Sequence, residues 1–274
     1  MNNYNTILKN NYIFGPIKSR RLGVSLGINV LPIEKKICTF NCIYCECGWN
    51  NNDVCNAVPH ELISYPKHEI IIAELEQNLI KINNTTKIDS ITFSGNGEPT
   101  LHPLFPAIIY DTIELRNKYL PNTNISVLSN STNLSNDAVV NALKKIDNAI
   151  LKLDSANINT FENINLYNIN NKKLDGTTKI SIEKIIDGMK KFDGNFIFQI
   201  MFLRGKINGQ IIDNTTEIEI NGLINAIKKT NPKQIMIYPI DRITPADNLT
   251  KLDAHEMQKI ANIIRNAGFN VLCV

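Results

Sequence analysis

Hydrophobic and polar positions along this chain follow two spacings that take turns from one segment to the next. Alternating apolar and smaller residues over 22–30 predict a strand, and apolar residues at helical spacing over 70–82 predict a helix. The same alternation continues to the end of the sequence. It predicts further strands at 88–93, 125–128, 149–153, 196–203 and 234–238, and further helices at 105–119, 137–146, 182–192, 219–229 and 255–266.

Six strand–helix units predict parallel strands joined by right-handed crossovers. Six units fit a partial barrel better than the eight of a closed one. The predicted fold class is therefore α/β, a partial (β/α)6 barrel with parallel strands and outer helices. We expect one domain over 1–274 with a short N-terminal extension at 1–20. Loops that leave the carboxyl ends of the strands should build the site.

Three cysteines are grouped in the loop that follows the first predicted strand. Cys38, Cys42 and Cys45 have the spacing C-x3-C-x2-C, which supplies three thiolates to a cubane cluster of four irons. One iron would keep an open position for a small chelating molecule. The alternative is a structural zinc site, which prefers four ligands in two short pairs. No second C-x2-C pair is present, so Cys47 or Cys55 would have to complete it.

A glycine-rich turn with an acid follows the second predicted strand. It contains Ser94, Gly95, Asn96, Gly97 and Glu98. Glycine allows backbone groups to approach a ligand closely. Alone, such a turn is as consistent with a tight connection as with a ligand site. Behind the cysteine loop, a ligand site is the favoured interpretation.

Polar side chains also follow the third and fourth predicted strands. Ser129 and Asn130 end one strand, and Asp154 and Ser155 end the next. Such positions usually face a ligand in βα-barrels. The alternative for each is capping of the following helix. Lys152 lies within the fourth predicted strand, and we expect its side chain to point outward, away from the site.

Three segments together resemble the radical S-adenosylmethionine (SAM) superfamily. They are the opening over 14–29, the cysteine loop with Tyr-Cys-Glu-Cys-Gly at 44–48, and Ser-Gly-Asn-Gly-Glu-Pro-Thr-Leu-His at 94–102. Within that superfamily the sequence is most similar to the wyosine-synthase-related iron–sulfur oxidoreductases, over nearly the whole chain. It departs from the superfamily pattern in reading Gly-Asn-Gly-Glu where Gly-Gly-Glu is usual.

The resemblance implies the barrel of the radical SAM type and two cofactors. Cys38, Cys42 and Cys45 would hold a [4Fe–4S] cluster, whose open iron would chelate SAM. Gly95 and Gly97 would contact the methionine amino group through the backbone.

Further side chains acquire roles by the same resemblance. Tyr44 would lie beside the adenine, and Glu98 would be an anionic partner of the amino group. Asn130 and Ser155 would contact the ribose or the carboxylate, and Asp154 would serve cofactor or substrate. The full set of expected cofactor-binding residues is Tyr44, Ser94, Gly95, Asn96, Gly97, Glu98, Ser129, Asn130, Asp154 and Ser155.

The implied activity is reductive cleavage of SAM to a 5′-deoxyadenosyl radical that abstracts hydrogen from an unidentified substrate. A low-potential flavodoxin or ferredoxin would supply the electron. One alternative is a tRNA-base-modifying enzyme of the wyosine type. True wyosine synthases carry a second cluster on cysteines upstream of the first loop, and this sequence has none before Cys38. The other alternative is a non-catalytic iron–sulfur or zinc module for binding or electron transfer.

The remaining cysteines, Cys47, Cys55 and Cys273, are just enough for a second cluster. The alternatives are a reactive or cluster-proximal role for Cys47 and ordinary thiols. Beyond the strands, Arg204 and Arg242 are predicted either to bind an anionic group or to be solvated.

Composition narrows the possible partners. The 274 residues are 43% hydrophobic, with no apolar run long enough to span a bilayer, so no membrane partner is expected. With 29 basic and 26 acidic residues the formal charge is only +3, which does not support tRNA binding although it leaves it possible. The first ten residues lack the features of a secretory signal, and the predicted location is cytoplasmic.

Overall fold

The computed structural model describes residues 7–50, 63–83, 85–166, 180–207 and 209–274. The strands are β1 (Ile13–Ser19), β2 (Gly23–Ile28), β3 (Ser90–Phe93), β4 (Asn124–Ser129), β5 (Asn148–Lys152), β6 (Ile197–Phe202), β7 (Arg204–Ile207), β8 (Gln210–Asp213), β9 (Gln234–Pro239), β10 (Leu249–Thr250) and β11 (Val271–Cys273). The helices are α1 (His68–Ile82), α2 (Phe105–Tyr119), α3 (Asp137–Leu143), α4 (Ile158–Asn165), α5 (Ile182–Lys190), α6 (Glu217–Thr230) and α7 (Ala254–Asn266), with a 3₁₀ turn at Pro99–Leu101.

The main sheet has eight strands in the order β1-β2-β3-β4-β5-β6-β9-β11. Every neighbouring pair from β2 to β11 is parallel, and only β1 runs antiparallel to its neighbour β2. The sheet curls into a half-barrel with helices packed along it. The predicted partial barrel of parallel strands is therefore confirmed.

The outer face of the sheet is covered by helices and forms the large apolar core. Phe93 on β3 packs edge-to-face against Phe105 at the start of α2, with ring centroids 6.0 Å apart. The inner face carries a smaller cluster of Ile150, Ile197 and Met236 from neighbouring strands. Because side chains alternate between faces, residues two positions beyond Ile150 point into the half-barrel as well.

Local signals in the sequence explain why the helices start where they do. Thr216 caps α6 by accepting a hydrogen bond from the Glu219 N–H. Asp253 and Glu256 form a capping box at the start of α7, in which each side chain accepts from the other residue's backbone N–H. These caps satisfy backbone donors that the first turn of a helix leaves open.

Several elements were not predicted from the sequence. β1 includes Gly15 and Pro16, a combination that masks the strand pattern, and most of its residues are exposed or half-exposed at the sheet edge. α4 lies in a stretch rich in asparagine, outside the predicted helices. β7, β8 and β10 form a separate three-stranded antiparallel sheet next to the main one.

Across the part of the chain that the structure describes, no helix combines the length and apolarity needed to cross a bilayer.

Candidate cluster and cofactor site

The cysteine loop leaves β2 and is held against the glycine turn that follows β3. Ile37 N–H donates to the Asn96 carbonyl (2.8 Å), and Glu98 N–H donates to the Ile37 carbonyl (2.9 Å). Ile37 and Gly97 form a parallel bridge. Gly97 has φ +139°, and a Cβ at this position would collide with the Ile37 carbonyl. Only glycine allows the two segments to approach this closely.

Two of the loop cysteines receive hydrogen bonds from neighbouring strands. Asn130 Nδ2, at the end of β4, lies 3.4 Å from the Cys38 sulfur. Lys152 Nζ, at the end of β5, lies 3.3 Å from the Cys42 sulfur. The Cys42 thiol also contacts Asn165 Oδ1 at 3.4 Å, at the last residue of α4. The sequence thus placed Asn130 at this edge correctly, but nothing in it pointed to Asn165.

The third cysteine, Cys45, lies beside Cys47 and close to the Lys36 ammonium. Lys36 is buried, and its Nζ also donates to the Gly48 carbonyl at 2.9 Å. The Cys47 thiol donates to the Gly95 carbonyl at 3.0 Å. Cys47 therefore lies within the site, between the cysteine loop and the glycine turn.

The expectation that Lys152 points outward is wrong. Its side chain is buried, and its Nζ donates to Asp154 Oδ2 (2.8 Å), Asn165 Oδ1 (2.6 Å) and the Tyr44 hydroxyl (2.9 Å), besides the Cys42 sulfur. Lys152 has the same parity along β5 as Ile150, which faces the interior of the half-barrel. At the carboxyl end of the strand this inner face is polar, so the lysine finds acceptors there.

Burial raises the pKa values of the thiols, and the neighbouring cations lower them. Burial raises the pKa of Cys38 to about 12 and also raises the pKa of Cys42 above its usual value. The pKa of Cys45 is lowered, because its contact with Cys47, which includes the Cys47 backbone N–H, and the nearby Lys36 ammonium favour its thiolate. The site thus favours anionic sulfur most strongly at Cys45.

Glu98 connects the glycine turn to the end of β4. Its Oε1 accepts from the Thr100 hydroxyl (2.6 Å) and from Ser129 Oγ (2.9 Å), and its Oε2 accepts from the Asn130 N–H (2.6 Å). Burial nevertheless raises the pKa of Glu98 above its usual value. The structure brings Glu98, Ser129 and Asn130 together, with both carboxylate oxygens of Glu98 bonded to protein donors.

Within the glycine turn, the remaining residues differ in orientation. The Asn96 side chain is buried and bonds the backbone of Lys9 and the Pro32 carbonyl, so it faces the segment before β1. Ser94 donates its N–H to the Ile28 carbonyl, and Gly95 receives the Cys47 thiol. The turn therefore offers backbone groups rather than side chains to the interior.

The β5 end places Tyr44 and Asp154 in contact. The Tyr44 hydroxyl donates to Asp154 Oδ2 at 2.5 Å, and Met201 N–H donates to Asp154 Oδ1 at 2.9 Å. Ser155 Oγ donates to Glu219 Oε2 (2.6 Å) and accepts from the Asn157 N–H (2.9 Å), which leads into α4. Ser155 thus forms a turn before α4, and the N-terminal cap of α4 is Asn157, whose side chain accepts from the Asn159 N–H.

Arg204 and Arg242, which the sequence left between anion binding and solvation, each have an acidic partner. Arg204 Nη1 lies 2.7 Å from Glu256 Oε1, and Arg242 Nη1 lies 2.6 Å from Glu46 Oε2. Of the other cysteines, Cys273 lies on β11, and Cys55 is outside the described residues.

The thiols suit an iron–sulfur cluster. No three His, Cys, Asp or Glu side chains within the described ranges are placed to hold one metal ion. A cubane binds each cysteine through a different iron, so its thiolates need not converge on one point. Thiolates in a buried pocket with donors on their sulfurs are the usual environment of such clusters.

A family model decides the relationship. The model described as "Radical SAM superfamily" matches residues 35–215, which include the cysteine loop, the glycine turn and strands β3 to β8. The chain belongs to the radical SAM superfamily. The cofactors of this superfamily are a [4Fe–4S] cluster and SAM. Radical SAM enzymes generally need an electron donor and a substrate.

Individual relatives agree with this membership. A UPF0026 protein of Helicobacter pylori is 32% identical over 200 residues, covering 70% of this chain and 56% of that protein. A Brachyspira hyodysenteriae protein named GTPase Obg is 32% identical over 201 residues, covering 72% of this chain and 26% of that protein. The chain thus spans about half the length of the first relative and about a quarter of the second.

Among solved structures, Streptococcus suis SuiB bound to S-adenosylmethionine is similar with a TM-score of 0.58. The similarity covers 90% of this chain and 49% of SuiB at 14% sequence identity. At that identity the likeness establishes the radical SAM fold and no more.

Proposed function

We propose that Cys38, Cys42 and Cys45 hold the [4Fe–4S] cluster and that SAM binds between the cysteine loop and the Ser94–Glu98 turn. The observation that supports this most is the joining of these two segments by the Ile37 hydrogen bonds, at the carboxyl edge of the parallel sheet. The remaining predicted contacts, from Tyr44 and from the ends of β4 and β5, belong to the same proposal.

When bound and reduced, the cluster would supply the electron for cleavage of SAM to methionine and a 5′-deoxyadenosyl radical. That radical would take a hydrogen atom from the substrate. The residues of the chain would bind SAM, orient it and shield it from water. The glycine turn presents backbone acceptors such as the Gly95 carbonyl, which now holds the Cys47 thiol. Tyr44 is fixed by Asp154 and Lys152, so its ring is held in one orientation beside the loop. Fixed groups of this kind keep reactants aligned and water out.

Several expectations go with this proposal. We propose that residues 1–274 work as one barrel domain and that a low-potential flavodoxin or ferredoxin supplies the electron. The wyosine-type tRNA substrate, the relationship to that subgroup and the cytoplasmic location stay predictions.

The test is anaerobic reconstitution followed by low-temperature electron paramagnetic resonance (EPR), with spins counted against iron. We expect a reduced-cluster signal whose shape changes when SAM is added. The variant with Cys38, Cys42 and Cys45 all changed to Ser should bind no cluster, while Cys273→Ser should match the wild type.

Either of two results would contradict the proposal. One is zinc in place of iron in the purified protein, which would favour the non-catalytic binding module. The other is a cluster signal that SAM leaves unchanged.

A further inference from the structure

A buried polar side chain lies beside each of the three loop cysteines. Asn130 donates to the Cys38 sulfur, Lys152 donates to the Cys42 sulfur, and the Lys36 ammonium lies close to Cys45. Two of these three side chains are cations. We propose that Lys36 and Lys152 act as positioning residues that raise the reduction potential of the cluster by stabilising its reduced state. This inference rests on the proposed function, because it takes the three cysteines as the cluster ligands.

Lys152 is fixed in its place by contacts with five residues. Besides Cys42 it bonds Asp154 and Asn165, and its ammonium lies 5.0 Å from the Phe40 ring centroid and 5.3 Å from that of Tyr44. A cation with this many partners has little freedom to leave. Its charge is partly offset by Asp154, which is fully buried.

Within the part of the chain that the structure describes, no carboxylate pairs with Lys36. Its ammonium donates to the Gly48 carbonyl at 2.9 Å and lies near Cys38, Cys42, Cys45 and Cys47. A buried ammonium costs much desolvation free energy unless anions surround it. The thiolates of a bound cluster would be those anions.

Reduction adds negative charge to the cluster. One electron enters, no proton follows it and no bond forms or breaks, so the cluster and its thiolates become more negative by one unit. Fixed positive charge in a medium of low dielectric constant stabilises that unit far more than water would. Hydrogen bonds to cluster sulfurs act in the same direction. Removing either lysine should therefore make the cluster harder to reduce.

The experiment is a redox titration of the reconstituted protein, followed by EPR, without SAM. In Lys152→Met and in Lys36→Met we expect the ratio of reduced to oxidised cluster at a fixed potential to fall about tenfold, which is about 59 mV for one electron. Lys152→Arg keeps the charge and should stay near the wild-type midpoint. Asp154→Asn removes the negative charge beside Lys152, so its midpoint should move the opposite way, to higher potential.

The four variants separate this role from a structural one. Loss of packing would lower iron content in all of them, without giving shifts of opposite sign in Lys152→Met and Asp154→Asn. If Lys152→Met fails to bind iron, the midpoint potentials of Asp154→Asn and Lys36→Met still test the inference. Unchanged midpoints in clusters that still respond to SAM would overturn the inference while leaving the proposed function intact. Absence of any SAM response would instead overturn the proposed function.

Discussion

At the scale of single residues, Gly97 shows how the site depends on one missing side chain. Its backbone has φ +139° and lies against the Ile37 carbonyl. Gly268 also has a positive φ, +97°, but nothing lies within 4 Å of the position of its Cβ. Alanine substitutions at these two glycines therefore separate the cost of backbone strain from the cost of a steric collision.

Gly97→Ala should destabilise the protein by more than about 2 kcal/mol, because a collision adds to the strain. Gly268→Ala should cost about 1 kcal/mol, the strain alone. Urea unfolding of the cluster-free protein measures both. Equal costs in the two variants would mean that the loop moves aside without penalty.

His102 gives a prediction about pH. Its Nε2 bonds the Pro66 carbonyl, its Nδ1 accepts from the Leu104 N–H, and burial lowers its pKa below the ordinary 6.5. Below pH 6.5 the unfolded chain therefore binds a proton that the folded protein does not, and stability falls as pH falls toward the folded pKa.

His102→Asn should remove part of this slope between pH 6.5 and the folded pKa, as measured by urea unfolding at several pH values. The exposed His255, changed to Asn, is the control and should keep the wild-type slope. A slope that is the same in His102→Asn would show that other groups carry the proton uptake.

At the scale of elements, the strongly patterned segments were predicted well from the sequence. The predicted helix 105–119 coincides with α2, and the predicted strands of the parallel sheet correspond to β2 to β6 and β9. These strands are largely buried, and their apolar residues, alternating in β2 and nearly continuous in β6, are easy to recognise. β1 and β11 lie at the edges and α4 is rich in asparagine, so their sequences carry less of that signal.

The start of α7 offers a test at this scale. Asp253 accepts from the Glu256 N–H, and Glu256 accepts from the Asp253 N–H. Asp253→Ala should cost about 1 kcal/mol in urea unfolding, and Asp253→Asn, which keeps the acceptor, should cost much less. Similar losses in both would point to the charge rather than to the hydrogen bond.

At the scale of the whole molecule, the site was only partly predictable. The cysteine spacing and the turn of residues 94–98 were recognisable because they are continuous in sequence. Lys152 and Asn165 reach the thiols from β5 and α4, and such contacts depend on how the sheet curls. No pattern within a single segment contains that information.

The main sheet and its helices should also be stable without the cluster. Cys38, Cys42 and Cys45 lie in a loop, outside the strands and helices that the structure describes. Removing the cluster with a chelator and an oxidant, then reducing the thiols, should leave far-UV circular dichroism within about 10% of the loaded protein. The same treatment should expose thiols to a thiol reagent. A large loss of helical signal would show that the cluster organises the barrel itself.

The side chains that contact the thiols affect when the cluster can be assembled during synthesis of the chain. The contacts Cys38–Asn130, Cys42–Lys152 and Cys42–Asn165 span 92, 110 and 123 residues. Contacts of such sequence separation form late in folding, since the chain between them must first be arranged. The cysteines leave the ribosome long before their partners do. The cluster should therefore be assembled only after β5 and α4 have folded. Until then, a nascent chain would expose three thiols without their hydrogen-bonding partners.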